Sequence, residues 1–452
     1  MKRVHFIGIG GYSMSGLALW LHHLGYTVTG SDMSSSSRTE RLLLHGIPVT
    51  FGHDVEHLAG VDEVIYSTDV AAENVERAAA VKAGLIVRHR SDLLAEIMAA
   101  KRAITVSGTH GKTTTTTMIG TALARAGLDP SVLVGGEVES FGGNVRVGQS
   151  PWIVVEADES DGSFLRYRPE IAVATNIEPE HLEHFNESFQ VLTEAFASYL
   201  GTVPKHGAAI VGYDDPVLAA LIDTLNVPSL TYGFSPGARV RGVIERQDRA
   251  ATIFHVFDDT LHLGSIQLEV PGLHNVKNAL AVIAVAQHLN VDRTAVFRAL
   301  AEFRNANRRF QVLVTSPVLV VDDYAHHPTE IRATLEACRQ VTPGRVIALF
   351  QPQRYVRTMR LWDEFLGAFD ACDMLIMTEI YAPPGESPIG GISGQALAEA
   401  IERRQSVTVH YVPDMFQAID LVLPILVPGD TFLTMGAGPV HKVGERMSQL
   451  LA

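Results

Sequence analysis

One opening occurs three times along this chain, and it restricts the fold more than any other feature. A short apolar strand runs into a turn rich in glycine or acid, and a helix follows. Val4 to Ile7 leads into Gly8-Ile9-Gly10-Gly11, after which Leu17, Leu21 and Leu24 recur at helical spacing before Gly25. Ala103 to Ser107 leads into Gly108-Thr109-His110-Gly111-Lys112-Thr113, and Met118, Ile119, Ala122, Leu123 and Ala126 then share one helical face. Val318 to Val321 leads into Asp322-Asp323-Tyr324-Ala325-His326-His327-Pro328 and a helix over Glu330 to Gln340. Strands separated by helices pair in parallel, so the expected class is α/β. Further strands are expected at Tyr26 to Thr29, Trp152 to Val155, Arg345 to Phe350, Met374 to Thr378 and Thr431 to Met435. Ala251 to Val270 is strand-rich without a helix, which predicts an antiparallel flap on the middle domain. At roughly 150 residues per domain, 452 residues make about three domains. The breaks fall near Ala100 and Phe310, giving 1–100, 101–309 and 310–452.

Composition narrows the ligands. A net charge of −14 offers no general attraction to nucleic acid or an anionic membrane, so any anion must be held by local groups. Cys338 and Cys372 are the only cysteines, too few for a disulfide framework and suited to a reducing cytoplasm. Met1-Lys2-Arg3 and the glycine-broken run after it lack the features of a secretory signal, and Leu421 to Val427, interrupted by Pro424, is too short to span a bilayer. Oligomeric state is left open between monomer and homodimer.

The middle turn is a phosphate cradle. Backbone N–H groups at the helix start face an anion, Lys112 adds a compact charge, and the Thr113 hydroxyl can ligate Mg²⁺. The run Thr113 to Thr117 is a poor helix former, so its place at the phosphate end points to function over packing. Four carboxylates follow Val155, and Glu156, nearest the strand, is the metal candidate. At least two of the four are expected in a solvated acidic turn. His181 and His184 have a spacing compatible with shared metal binding. With no cysteine nearby and a nucleotide loop already implied, zinc is the weaker reading; His181 remains a Mg²⁺ candidate and His184 a structural residue. In the first turn Ser13 stands where a dinucleotide fingerprint has its third glycine, and Asp32 ends the second strand. Arg354 and Arg357 suit a carboxylate or phosphate, and a solvated basic helix start fits them equally. Asn275 and Asn278 could cap a helix or hold an adenine edge, and capping is favoured.

Taken together these segments resemble the Mur ligases over nearly the whole chain. The residues carrying the resemblance are His5 to Gly11 with Met14-Ser15-Gly16, Gly108 to Thr116, Glu156 to Phe164, Thr175 to His181, Gly272 to Asn275 with Asn278-Ala279, Arg308 to Phe310, Asp322 to Glu330 and the Arg354 segment. The resemblance implies three α/β domains: a Rossmann-like one for a UDP sugar, a central P-loop ATPase domain with an antiparallel flap, and a Rossmann-like C-terminal one for ATP and an amino acid. It implies ATP-dependent joining of L-alanine to the lactyl carboxylate of UDP-N-acetylmuramic acid through an acyl phosphate. By resemblance Gly10, Gly11, Ser15, Asp32, His53 and Ser67 would face the UDP sugar. Gly108, Thr109, His110, Gly111, Lys112, Thr113 and Thr114 would hold the ATP phosphates, with Asn275 and Asn278 near adenine, Asp322 near ribose and Arg309 near the phosphates. Thr113 and Glu156 would bind one Mg²⁺ and His181 a second. His327, Arg354 and Arg357 would orient alanine, with Lys112, Glu156, His181 and His327 as the catalytic set.

The chain departs from that pattern at Tyr12-Ser13, at Asn305 and Asn307 in place of glycines, at Gln311 in place of an acid, and at Gln353 in place of a histidine. No lysine lies between Thr113 and Pro204, so no modified lysine is expected at the second metal. Two rivals remain. A tripeptide-adding recycling ligase shares the nucleotide motifs, and a nicotinamide dehydrogenase rests on Gly8, Gly10 and Asp32 while leaving Lys112 and Glu156 without a role.

Overall fold

Strands such as Ile171–Ala174 and Ala208–Gly212 are buried along their whole length, the pattern of strands covered on both faces by helices. A computed structural model describes residues 2–248, 251–382 and 386–451. Met1 and Ala452, the outer bounds expected for the first and last domains, lie outside the described residues. The strands form three sheets, and the chain divides into two compact units. One runs to Val243 and adds Val256–Gly264 and Lys277–Leu300; the other takes Ile244–His255, Ser265–Val276 and the chain from Ala301 onward.

In the first unit, β1 (Arg3–Ile7), β2 (Thr27–Asp32), β3 (Val49–Phe51), β4 (Glu63–Tyr66) and β5 (Ile86–His89) lie in the order β3-β2-β1-β4-β5, every pair parallel. The order reverses between β1 and β4, and a crevice opens outside the strand ends at such a point. Gly8 follows β1 there and Ser67 follows β4.

The second sheet is built on β6 (Arg102–Ser107), β7 (Ser131–Val138), β8 (Gly143–Arg146), β9 (Trp152–Glu156), β10 (Ile171–Ala174), β11 (Ala208–Gly212) and β12 (Ser229–Gly233). It continues through β13 (Val240–Gln247), β14 (Thr252–Asp258) and β15 (Leu261–Leu268), in the order β15-β14-β13-β12-β11-β10-β6-β9-β7-β8. β6 lies between β10 and β9, parallel to both, so the loops leaving these three strands emerge on one edge. The flap expected over Ala251 to Val270 is β14 and β15. β14 and β15 are neighbours joined through Asp259 and Thr260, a link short enough to require an antiparallel hairpin.

The helix Tyr12–His23 packs on β7 and β8, where a Cβ on Gly16 would come within 2.4 Å of Leu133. On the helix Lys112–Arg125, a Cβ on Gly120 would meet Val132 at 2.5 Å. β7 is thus gripped by two helix faces that have no room for a methyl group. Thr113 to Thr117 are all buried, and the Thr117 hydroxyl donates to the Thr113 carbonyl at 2.8 Å. The run therefore serves packing as well as the phosphate end.

The second unit carries β16 (Gln311–Val314), β17 (Leu319–Asp323), β18 (Val346–Phe350), β19 (Met374–Met377), β20 (Thr408–Tyr411) and β21 (Thr431–Met435), in the order β16-β17-β21-β18-β19-β20. Only the β16–β17 pair is antiparallel. The left-handed positions just before this sheet are Arg308 (φ 60) and Phe310 (φ 48), not the nearby Asn305 and Asn307. Their strain is offset by the Asp323 carboxylate, which accepts the Phe310 N–H at 2.6 Å, and by Gln311, whose side chain accepts the Arg308 N–H at 2.9 Å. No helix among the described residues is long and apolar enough to cross a membrane.

One buried carboxylate ties the first sheet together. Glu76, at the start of the helix Val75–Lys82, accepts from Ser31 Oγ at 2.5 Å. It also faces Nδ1 of His53 at 3.2 Å, Nδ1 of His57 at 2.6 Å and Nε2 of His5 at 3.6 Å. Burial pushes its pKa up, but the nearby His5 imidazole and the hydrogen bonds to Ser31 and His57 outweigh it and bring it from 4.5 to about 2. A depressed carboxylate stabilises the fold above its unfolded value, and that stability is lost as pH falls toward 2; the full effect is on the order of 3 kcal/mol. Glu76→Gln is expected to lower stability by a few kcal/mol at pH 7. The gap from wild type should narrow at pH 3 in urea melts, and a gap independent of pH would count against this account.

Candidate active site

The loop between β6 and the helix Lys112–Arg125 depends on two glycines. Gly108 has φ +135°, and a Cβ there would lie 2.0 Å from Thr175 Oγ1; Gly111 has φ +82°, and its Cβ would lie 2.9 Å from Asn278 Oδ1. Residues just after β10 splint the loop. Asn176 accepts the His110 N–H at 2.8 Å and returns a hydrogen bond to the His110 carbonyl at 3.0 Å; Thr175 Oγ1 donates to the same carbonyl at 2.6 Å. The Thr109 hydroxyl accepts from the Glu178 N–H at 2.8 Å. The backbone N–H groups at the start of the helix, through Thr114, have no helical acceptor, which makes this end an anion site.

Lys112 and Thr113 leave the loop toward the acids that follow β9. Lys112 Nζ donates to the Gly108 carbonyl at 2.7 Å, to Glu159 Oε1 at 2.8 Å and to the Thr109 carbonyl at 3.3 Å. Burial works against its charge, but Glu159, Asp158 and Glu156 prevail and hold its pKa above the ordinary lysine value. Thr113 Oγ1 donates to Glu156 Oε2 at 2.9 Å, and the same oxygen accepts the Gly135 N–H at 2.8 Å. A hydroxyl and a carboxylate side by side are hard oxygen donors of the kind Mg²⁺ takes, beside a loop built for phosphate. The expected solvated acidic turn is not found. None of Glu156, Asp158, Glu159 and Asp161 is exposed, because each has a nearby donor or cation to satisfy it. Asp161 accepts from Thr68 Oγ1 at 3.0 Å, pairs with Arg90 at 3.1 Å and accepts the Ser163 N–H at 2.9 Å, which links the acidic loop to the segment after β4. His181 leaves the end of β10 in a left-handed conformation, its ring 3.8 Å from Glu180 and 3.9 Å from Glu183; His184 is exposed.

At the crevice of the first sheet, Asp32 accepts the Gly10 N–H at 2.8 Å and Arg38 donates to the Gly10 carbonyl at 2.5 Å, so the glycine turn is held from both sides. Gly11 is the N-cap of the helix Tyr12–His23. His53 is joined to Ser31 and Glu76, and Ser67 is half-buried with its carbonyl accepting the Val70 N–H at 3.0 Å. Ser15 is buried, its hydroxyl donating to the Tyr12 carbonyl at 3.0 Å.

Asn275 and Asn278 lie in the first turns of the helix Leu273–His288. Asn275 is not its N-cap: its amide donates to the Pro271 carbonyl at 2.7 Å, whereas a cap accepts from the helix N–H groups. Asn278 borders Gly111, within the first unit. In the second unit, Asp322 is buried against Arg308 Nε at 3.0 Å and Thr434 Oγ1 at 2.6 Å. Arg309 lies 4.0 Å from Glu330 with its guanidinium over Tyr324, and His327 is the buried N-cap of the helix Pro328–Val341. Arg354 is 3.5 Å from Glu386, and Arg357 donates to the Gln353 amide oxygen. Arg354, its side chain 38% exposed, is the N-cap of the helix Tyr355–Arg360, so a basic helix start with an ordinary ion pair also fits the two arginines. Sequence reasoning missed Arg38, Thr175, Asn176, Glu159 and Glu76 in these supporting roles; the pairing of β10 with β6 is the one sequence-level consequence that could have pointed to Thr175 and Asn176.

Comparison with known proteins agrees with this arrangement. Residues 3–102 match the Mur ligase family catalytic domain, 106–286 the Mur ligase middle domain, and 308–438 the Mur ligase glutamate ligase domain. A UDP-N-acetylmuramate–L-alanine ligase of Symbiobacterium thermophilum is 45% identical over all of this chain and 95% of its own length, and one of Syntrophus aciditrophicus is 44% identical over 98% and 92%. The chain belongs to the Mur ligase family. Among solved structures, the UDP-N-acetylmuramate–alanine ligase of Thermotoga maritima superposes with a TM-score of 0.86 at 28% identity, covering 100% of this chain and 99% of that one. The fold is the three-domain α/β fold of the Mur ligases.

Gly108→Ala tests the loop. With no space for a methyl group and a left-handed backbone, it is expected to cost more than about 1 kcal/mol in urea melts and to abolish nucleotide binding in calorimetry. Unchanged binding would show that the loop tolerates a rearrangement.

Proposed function

We propose that this Mur ligase joins L-alanine to the lactyl carboxylate of UDP-N-acetylmuramic acid at the expense of ATP. The observation that carries the reading is the meeting of Lys112, Thr113 and Glu156 where β6 and β9 end, in a chain whose full-length relatives at 41–45% identity bear that ligase name. A dehydrogenase has no use for that constellation. The tripeptide-adding alternative stays behind it, since those relatives match over 98–100% of the chain under the alanine name.

A carboxylate does not acylate an amine directly. Phosphoryl transfer from ATP converts it to an acyl phosphate, the alanine amine attacks the carbonyl, and phosphate leaves from the tetrahedral intermediate. Little covalent work falls to the protein, so its task is positioning and charge neutralisation. The loop Gly108 to Thr114 cradles the phosphates, and Lys112 keeps its proton and charge where negative charge gathers. Thr113 and Glu156 would hold one Mg²⁺ and His181 a second, and such ions neutralise and align phosphate oxygens. Gly10, Gly11, Ser15, Asp32, His53 and Ser67 are assigned to the UDP sugar, Asn275, Asn278, Asp322 and Arg309 to ATP, and His327, Arg354 and Arg357 to alanine. The reaction is assigned to the cytoplasm.

Phosphate release from ATP, measured with UDP-N-acetylmuramic acid across a panel of amino acids and the tripeptide, tests the reading: L-alanine should be preferred. Serine and glycine should react measurably at high concentration, because one hydroxyl or methylene changes binding by only about 1–3 kcal/mol. A tripeptide-only response would transfer the protein to the recycling reaction. Lys112→Ala should fold and lose at least ~10²-fold in turnover.

The amino-acid clamp has its own test. Arg357→Ala should raise the KM for alanine far more than that for ATP. A weakened ATP response with alanine unaffected would move the arginines to the nucleotide.

A further inference from the structure

We propose that Glu159 is the positioning residue of the phosphate-loop lysine, fixing the direction of the Lys112 ammonium before nucleotide arrives. This inference rests on assigning the loop to ATP. A free lysine side chain spreads over many rotamers, and ordering it costs conformational entropy. Here the side chain is only 15% exposed and its ammonium already has three acceptors for its three N–H groups. Two bonds are short, to the Gly108 carbonyl and to Glu159; the third, to the Thr109 carbonyl at 3.3 Å, is long. A phosphate oxygen can take over the long bond while the two short ones keep the direction of the charge.

Glu159 has no other evident role. Its side chain is 3% exposed, it comes from the loop after β9, and one of its carboxylate oxygens is buried without a hydrogen-bond partner. A carboxylate that deep is retained only against a partner charge, and Lys112 is that partner. Glu156 is occupied with Thr113 and Gly135, and Asp161 with Thr68, Arg90 and Ser163, so the division of labour among the acids is set by geometry.

Glu159 also neutralises the lysine it holds. Removing its charge without changing its shape should leave ATP attraction intact while the aim of the ammonium is loosened, because a neutral amide oxygen holds it more weakly than a carboxylate. The test is E159Q beside Lys112→Ala, with kcat, KM for ATP, KM for UDP-N-acetylmuramic acid, Mg²⁺ half-saturation and thermal melting measured on the full chain. The expected result is a kcat at least about tenfold lower, the scale of a small misplacement of a catalytic group, with both KM values and the Mg²⁺ requirement within about threefold of wild type. Wild-type kcat in folded E159Q overturns the proposal. So does a raised KM for ATP with kcat kept, which would place Glu159 in nucleotide binding, or a raised Mg²⁺ requirement, which would make it a metal ligand. If E159Q does not fold, E159D, which keeps the charge one methylene short, is measured in the same way. Failure of both to fold assigns Glu159 to structure and overturns the proposal. Retained turnover in Lys112→Ala would instead remove the ATP reading of the loop, so the two failures are distinguishable.

Discussion

The parallel pairing of β10, β6 and β9 is the constraint on which the proposed nucleotide site depends. It fixes which edge the three following loops leave from, and therefore brings the glycine loop, the acidic loop and the Thr175-Asn176 splint together. Had β9 run the other way, Glu156 would lie at the opposite edge and Thr113 would have no carboxylate beside it. Backbone hydrogen bonding thus does the first and largest part of assembling the chemistry. The side chains then refine it by fractions of an ångström.

Charge is handled differently in two places where acids are buried in the first unit. Around Glu76, one carboxylate is satisfied by a hydroxyl and imidazoles, and the outcome is a firmly ionised group that ties β1, β2 and the segment after β3 to a helix. Around Lys112, Glu159 pairs with the ammonium while Asp158 and Glu156 add their charge, and the outcome is a lysine whose pKa is held above the ordinary value. The first arrangement holds a scaffold. The second keeps a cation ready beneath a phosphate cradle.

Much of this was legible in the sequence because it is local. Strand, turn and helix signals placed β1, β6 and β17 within a residue or two, and Lys112, Thr113 and Glu156 were identifiable from their position after strands. Long-range satisfaction was not legible. Four acids in six residues look like a solvated turn until Arg90, Thr68 and Lys112, distant along the chain, are found to meet them. Asn275 looks like a cap until the helix is seen to begin before it, and Asn305 and Asn307 look suited to left-handed backbone that the chain assigns to Arg308 and Phe310 instead. In each case the sequence gives the residue's capability, and the partner that decides its use lies elsewhere in the chain.

The two glycines that grip β7 constrain how this protein can diverge. Gly16 faces Leu133 and Gly120 faces Val132, on adjacent residues of one strand and from two different helices. A methyl group gained on either helix must be matched by volume lost from the strand, so positions 16 with 133 and 120 with 132 are free to drift only as pairs. Because one helix starts at the glycine turn of the first sheet and the other at the glycine loop after β6, the strand packed between them sets how far apart those two helix starts lie.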